Sequence, residues 1–185
     1  MELIILLVVA GVLALLLVGV YNRLVALRAR ADQAFADIDV QLKQRHDLIP
    51  NLVEIVKGYA AHEKSTLDAG ITARNAATHA GSGEDKVQAE GVLTGALGRL
   101  FALSEAYPDL SANTNFLGLQ SELSDVENKL AAARRFFNNA IAEYNTGRQS
   151  FPAVLFAGLF GFGPRSSFDL GDQREALDVA PAVKF

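Results

Sequence analysis

The sequence predicts an all-α protein, with one N-terminal membrane-spanning helix followed by an up-and-down bundle of antiparallel helices. Three observations carry that prediction. Leu3 to Val20 is an apolar run without a charge. Beyond it, apolar side chains recur by steps of three and four, the 3.5-residue average of helices packed lengthwise as in coiled coils. Ala, Leu, Glu, Gln and Arg abound between the two ends, a usage that favours helix over sheet.

Composition sets the outer bounds. The chain has 185 residues, half of them apolar, which is room for one domain with a short appendage and excludes a disordered polypeptide. Seventeen basic against 21 acidic residues give a formal charge of −4. Sequence-independent nucleic-acid binding needs a basic surface, so no nucleic-acid partner is expected. There is no cysteine, so disulfides, thiolate zinc sites and cysteine nucleophiles are excluded. Three histidines argue against a histidine-rich metal centre.

Residues 1–21 read as the anchor. As a helix, Leu3–Val20 spans about 27 Å at about 1.5 Å per residue, close to the ~30 Å hydrocarbon core of a bilayer. A cleaved signal peptide fits poorly, because the only early charge is Glu2 and no small-x-small site follows the run directly. A buried core helix fits poorly too, since the run has no polar face. Leu3, Leu7, Leu15 and Val20 are candidates for facing lipid or a neighbouring copy. Gly11 and Gly19 allow close helix approach in lipid but form no GxxxG motif. Arg23, Arg28 and Arg30 follow the run and no basic residue precedes it, which places the bulk of the chain in the cytoplasm, with a periplasmic bulk as the alternative. Tyr21 stands where an interfacial aromatic would.

Residues 22–150 read as the bundle. Ala31, Phe35, Ile38, Leu42, Arg45, Ile49, Leu52, Val56 and Tyr59 form its first stripe, interrupted only by Arg45. The stripe passes through Pro50, which cannot donate a helix hydrogen bond. Asp47 can act as an N-cap that leaves Pro50 in the tolerant first turn of a new helix. Pro50 therefore marks either a kink or a tight turn, giving three helices or four. The segment after Pro50 is expected to continue to about Ala80, where Gly81-Ser82-Gly83 ends it. A third helix is expected from Glu84 to Tyr107, with Ala89, Leu93, Ala96, Leu100 and Leu103 on its stripe. Pro108-Asp109 and Asn113 make the next turn. The last helix runs from about Asn113 to Gln149 on Phe116, Leu119, Leu123, Val126, Leu130, Ala133, Phe137, Ala140 and Tyr144.

Residues 151–185 read as a Phe- and Gly-rich apolar segment with an extended tail. The stretch FPAVLFAGLFGF, Phe151 to Phe162, is too short to cross a bilayer as a helix and holds Pro152, Gly158 and Gly161. It can pack along the bundle, dip into a membrane interface or cover a second subunit. Phe151, Phe156, Phe160 and Phe162 are its candidate contact residues. From about Arg165 the chain is mixed and polar.

These stretches resemble the LemA family of bacterial membrane-anchored helical proteins. The resemblance rests on Arg45-His46-Asp47-Leu48-Ile49-Pro50-Asn51-Leu52-Val53, Lys57 to Glu63, Tyr107-Pro108-Asp109-Leu110, and Ala133-Arg134-Arg135-Phe136-Phe137-Asn138 with Tyr144-Asn145 and Ser150-Phe151-Pro152. It covers essentially the whole chain. It implies an up-and-down four-helix bundle behind a single membrane segment, which favours a turn at Pro50. It also implies association with membranes and, for some members, the building or maintenance of membrane compartments. It carries over no catalytic residue and no cofactor. Gly147 departs from the pattern, which puts the last helical turn in question.

Tests for chemistry return little. The residues three before His46, His62 and His79 are Lys43, Tyr59 and Ala76, so the Glu-x-x-His pairs of a di-iron bundle are missing. His46 and Asp47 read as part of the turn, bonding locally. Gly161-Phe162-Gly163 follows no strand and is no phosphate loop. Arg45, Asp47, Asn128 and Arg134 are expected to form a polar network that fixes helix register, with any buried arginine paired to a carboxylate. The expected function is therefore a non-enzymatic, membrane-anchored scaffold at the bacterial inner membrane, self-assembled into a homo-oligomer and shaping or stabilising the bilayer. The alternative is an adaptor that tethers a heterologous membrane or signalling protein.

Overall fold

The computed structural model describes residues 1–81 and 84–167, for Glu84 the backbone only. Among them every regular element is helical, with no strand. Helix α1 runs from Glu2 to Tyr59, α2 from Lys64 to His79, α3 from Glu84 to Ala106, α4 from Pro108 to Ser111 and α5 from Thr114 to Gln149. A single 3-10 turn, Ala153–Leu155, follows. The part of the expected tail from Phe168 onward, and Ser82 and Gly83 in the Gly-Ser-Gly break, lie outside the described residues.

Pro50 marks neither a turn nor a helix start, because α1 passes through it. Asp47 is accordingly no N-cap; it lies inside the helix and pairs with Lys43 one turn earlier at 2.5 Å. A proline inside a helix leaves the carbonyl four residues back without its donor. That carbonyl belongs to His46, and Arg74 of α2 donates its Nε–H to it at 3.2 Å. The bond that the proline deletes is thus replaced from a neighbouring helix, and the helix can continue.

The break instead falls at Ala60–Glu63, inside the segment expected to run on to Ala80. The amide of Ala60 still donates to Val56, and the amide of Glu63 then turns back to Ala60 at 3.0 Å. Asn113 holds the end of α1 by donating to the Tyr59 hydroxyl at 2.9 Å. The chain therefore does form a second long helix, but it begins at Lys64 rather than near Pro50. Asn113 also caps α5, its Oδ1 accepting from the Phe116 amide at 3.0 Å.

The described residues fall into two compact units, one made of 39–131 and the other of 1–38 with 132–167. In the first, α2 packs along α3 and α3 meets α4. Ile49, Leu52, Leu67, Leu93, Leu100, Leu110, Phe116 and Leu123 share its core, so α1, α2, α3, α4 and α5 all contribute to it. Gly70 lies in this core, where a Cβ would stand 2.9 Å from the end of Leu100.

In the second unit, Phe35 of α1 meets Phe137 of α5 with ring centroids 5.6 Å apart. Leu24 and Tyr144 form a smaller cluster with Ala153, Ala157 and Phe162. The last turn of α5, which Gly147 put in question, is helical. Its missing side chain is what the packing uses, since a Cβ at Gly147 would stand 2.7 Å from Cδ1 of Leu27. The chain after α5 is held back onto it by the Tyr144 hydroxyl, which donates to the Gly163 carbonyl at 2.9 Å. Asn145 adds two bonds to the backbone of Arg165.

Candidate functional site

In the unit of residues 39–131, the polar side chains converge on Glu90. Arg45 takes a seam position of α1 and Glu90 one of α3, three residues before Leu93, so the helical period aims both inward. Their side chains are 2% and 3% exposed. Arg45 Nη1 donates to Glu90 Oε2 at 3.0 Å, and Nη2 donates to Thr94 Oγ1 at 2.8 Å. Nη2 also lies 2.7 Å from Oε1 of Glu127 on α5, which is about half-exposed. The second oxygen of Glu90 is 2.7 Å from His46 Nε2. Thr94 in turn donates to the Glu90 backbone carbonyl at 2.9 Å.

Glu90 has its pKa lowered. Burial pushes the carboxyl up, and it is outweighed by the His46 hydrogen bond and charge together with the Arg45 charge and hydrogen bond. Asp47 is lowered as well, first by its hydrogen bond to Lys43, which outweighs the opposing desolvation, and then by the charges of Lys43, Arg74 and His46. What this arrangement does physically is plain. One buried carboxylate, with both oxygens engaged by α1 side chains, ties α1 to α3, Arg45 extends the tie to α5, and Arg74 fastens α2 to α1. Among the described residues there is no group of three or more acidic or histidine side chains able to hold a metal ion.

Of the expected network, Arg45 sits at this centre. Asp47 is on the exposed side of α1, Asn128 is exposed on α5, and Arg134 belongs to the other unit. Sequence reasoning missed Glu90 and Thr94 as partners of Arg45. Glu90 stands beside Ala89 at the edge of the expected stripe, three residues before Leu93. His46 was read as bonding locally, and the structure sends it to a partner 44 residues away.

The unit of residues 1–38 and 132–167 presents a different surface. Leu3, Leu7 and Leu15 are exposed, and none of the most apolar window of α1 is buried within the chain. That part of α1 is long and apolar enough to cross a membrane. Val20 is half-buried against the cluster of Leu24 and Tyr144. Phe151 and Phe160 are exposed, Phe156 is half-buried with its ring edge-on to Phe160, and Phe162 is buried rather than outward-facing. Tyr21 contacts the rings of Phe160 and Phe162, with centroids 5.4 and 5.5 Å away. Arg30 pairs with Glu143 and Arg165 with Asp32 in the same unit.

Comparison with known proteins agrees with the resemblance drawn from the sequence. The model of the LemA family matches residues 34–185. Among curated proteins, the magnetosome protein MamQ of Magnetospirillum gryphiswaldense is 26% identical over 77% of this chain and 62% of its own length. Magnetosome protein MamQ 2 of Paramagnetospirillum magneticum is 25% identical over the same shares. The chain thus spans less than two thirds of the length of the curated relatives that it matches.

Proposed function

This chain belongs to the LemA family, and on that premise we propose that it is a non-enzymatic, membrane-anchored helical scaffold that self-assembles at the bacterial inner membrane. The observation that carries the reading is the apolar first part of α1, long enough to cross a bilayer and with none of its window covered by the rest of the chain. In water such a surface costs about 25 cal/mol for each Å² of apolar area, so it calls for lipid or for other copies. The names of the family and of the relatives are not those of enzymes, and the relatives' names attach them to the magnetosome. Arg23 and Arg28, exposed just past the run, favour a cytoplasmic bulk. The up-and-down four-helix arrangement, built from α1, α2, α3 and α5, belongs to this proposal, with homo-oligomers forming through clustered anchors and neighbouring bundles.

Light scattering of the full-length chain in mild detergent, beside a truncation starting at Tyr21, tests the reading. Regular multimers from the full chain and monomers from the truncation support it. Monomers from both contradict self-assembly. Pull-down from native membranes then separates scaffold from adaptor, since stoichiometric heterologous partners would favour the tether. Protease accessibility in sealed inverted vesicles checks the side on which the bulk lies.

A further inference from the structure

The segment 151–162 has two apolar faces and only one of them is used. Ala153, Ala157 and Phe162 turn inward onto Leu24 and Tyr144. Phe151, Leu155 and Leu159 turn outward and are 80%, 67% and 86% exposed, with Val154 and Phe160 beside them. No residue from Phe151 to Phe162 carries a polar side chain. A loop that caps a helix in water ordinarily has a polar outer face.

Its position says what covers that face. The inward side of the segment packs on Val20, the last residue of the apolar run, and on Leu24 and Leu27 just after it. Leu24 lies one helical turn past Val20, about 6 Å along the axis at about 1.5 Å per residue. That distance falls within the interfacial layer of a bilayer spanned by the run. Between the segment and α1 is a groove of about 310 Å³ lined by Tyr21, Val25, Arg28, Phe160 and Phe162, with Ala29 and Asp32. The Tyr21, Phe160 and Phe162 rings with the Arg28 cation suit a lipid whose headgroup is anionic, the Asp32 carboxylate of the lining being paired with Arg165. Arg23 is exposed on the same stretch of α1.

We propose that residues 151–162 form an interfacial lipid-binding wedge that lays Phe151, Val154, Leu155, Leu159 and Phe160 into the bilayer surface beside the anchor, with Arg23 and Arg28 facing anionic headgroups. The proposal rests on α1 spanning the membrane. It adds a second, non-spanning membrane contact that inserts area into one leaflet, which gives the scaffold a physical means of bending or stabilising a bilayer.

The chain contains no tryptophan, so a single introduced one reports alone. Full-length Leu159→Trp, with Leu155→Trp as a second exposed position, is reconstituted into phosphatidylcholine–phosphatidylglycerol vesicles that contain brominated lipids. Leu13→Trp in the run and Leu117→Trp on α5 serve as references. The expected result is quenching of Leu159→Trp and Leu155→Trp strongest by bromines about 5–10 Å into the headgroup–acyl boundary. Leu13→Trp should be quenched most by bromines deep in the chains, and Leu117→Trp only by aqueous iodide. Iodide quenching of both 155 and 159, with Leu13→Trp still quenched by lipid, overturns the wedge while the anchor stands. Shielding of 155 and 159 from both quenchers also overturns it, because protein and not lipid then covers the face. Loss of lipid quenching at Leu13→Trp as well removes the anchor and the wedge together.

Discussion

Residues 39–131 and the unit of 1–38 with 132–167 solve the problem of their unusual side chains in opposite ways. The first draws charges inward and satisfies them there, with Arg45, His46 and Glu90 nearly closed to solvent and the first two both bonded to Glu90. The second pushes apolar side chains outward, with Leu3 to Val18 along α1 and Phe151, Leu155 and Leu159 after α5. A buried ion pair adds little net stability but penalises every arrangement in which its members are separated. An exposed apolar face penalises water as its surroundings. The first unit thus meets its charges within itself, and the second leaves an apolar face to whatever surrounds it.

The largest effect that can break this contrast is at the centre of the ionic network. Arg45→Ala leaves Glu90 buried with one charge partner gone and should destabilise the unit by about 3–5 kcal/mol. Urea unfolding of the detergent-solubilised chain, followed by circular dichroism, measures it. The pair Arg45→Met with Glu90→Leu should recover much of that loss, because apolar replacements of a buried ion pair are often neutral. A second test addresses the packing of the unit that carries the apolar run. Gly147→Val places methyl groups where Leu27 already lies, and should cost about 1–3 kcal/mol in the same assay. Gly58→Ala, where a Cβ meets nothing, should instead be neutral or slightly stabilising.

Acid provides a third and smaller handle. The folded-state pKa of Glu90 lies below its ordinary value of 4.5, so the unfolded chain holds more protons at that site. Its contribution is present above about pH 4.5 and is lost as pH falls through the lowered folded value. Glu90→Gln should flatten the slope of unfolding midpoint against pH in that window, which an acid titration at fixed urea checks. The smallest effect is expected from Lys43→Ala. Its partner Asp47 is on the exposed side of α1, and solvent screens such pairs, so the unfolding midpoint should not move measurably.

Much of the architecture was legible because it depends on periodicity. The stripes of Ile49, Leu52 and Val56, of Leu93, Ala96 and Leu100, and of Phe116, Leu123 and Leu130 place their residues in the interior as expected. The end of α3, the turn at Asn113 and the exposed apolar run also follow from local chemistry. The break between α1 and α2 did not. Pro50 is the stronger helix-breaking signal, yet Arg74 supplies the missing donor from another helix, and no local pattern announces that bond. The true break lies at Ala60-Ala61-His62-Glu63, where alanine, the best helix former, gives no stop signal. The same limit explains the network. Arg45 was visible as a charge on an apolar stripe, whereas the partnership of His46 with Glu90 depends on which helices become neighbours. Along 151–162, composition gave the apolar character, but only packing separates inward Phe162 from outward Leu159.

The most direct measurement is labelling of the full-length chain in phospholipid vesicles with a carbene precursor confined to the hydrocarbon phase, followed by peptide mapping. The account predicts label in the apolar run of 3–20 and in 151–160, and none across 39–131. Label on 39–131, at Val92 or Leu117 for example, or its absence from 151–160, would contradict the division between a region closed on its own charges and a region completed by lipid.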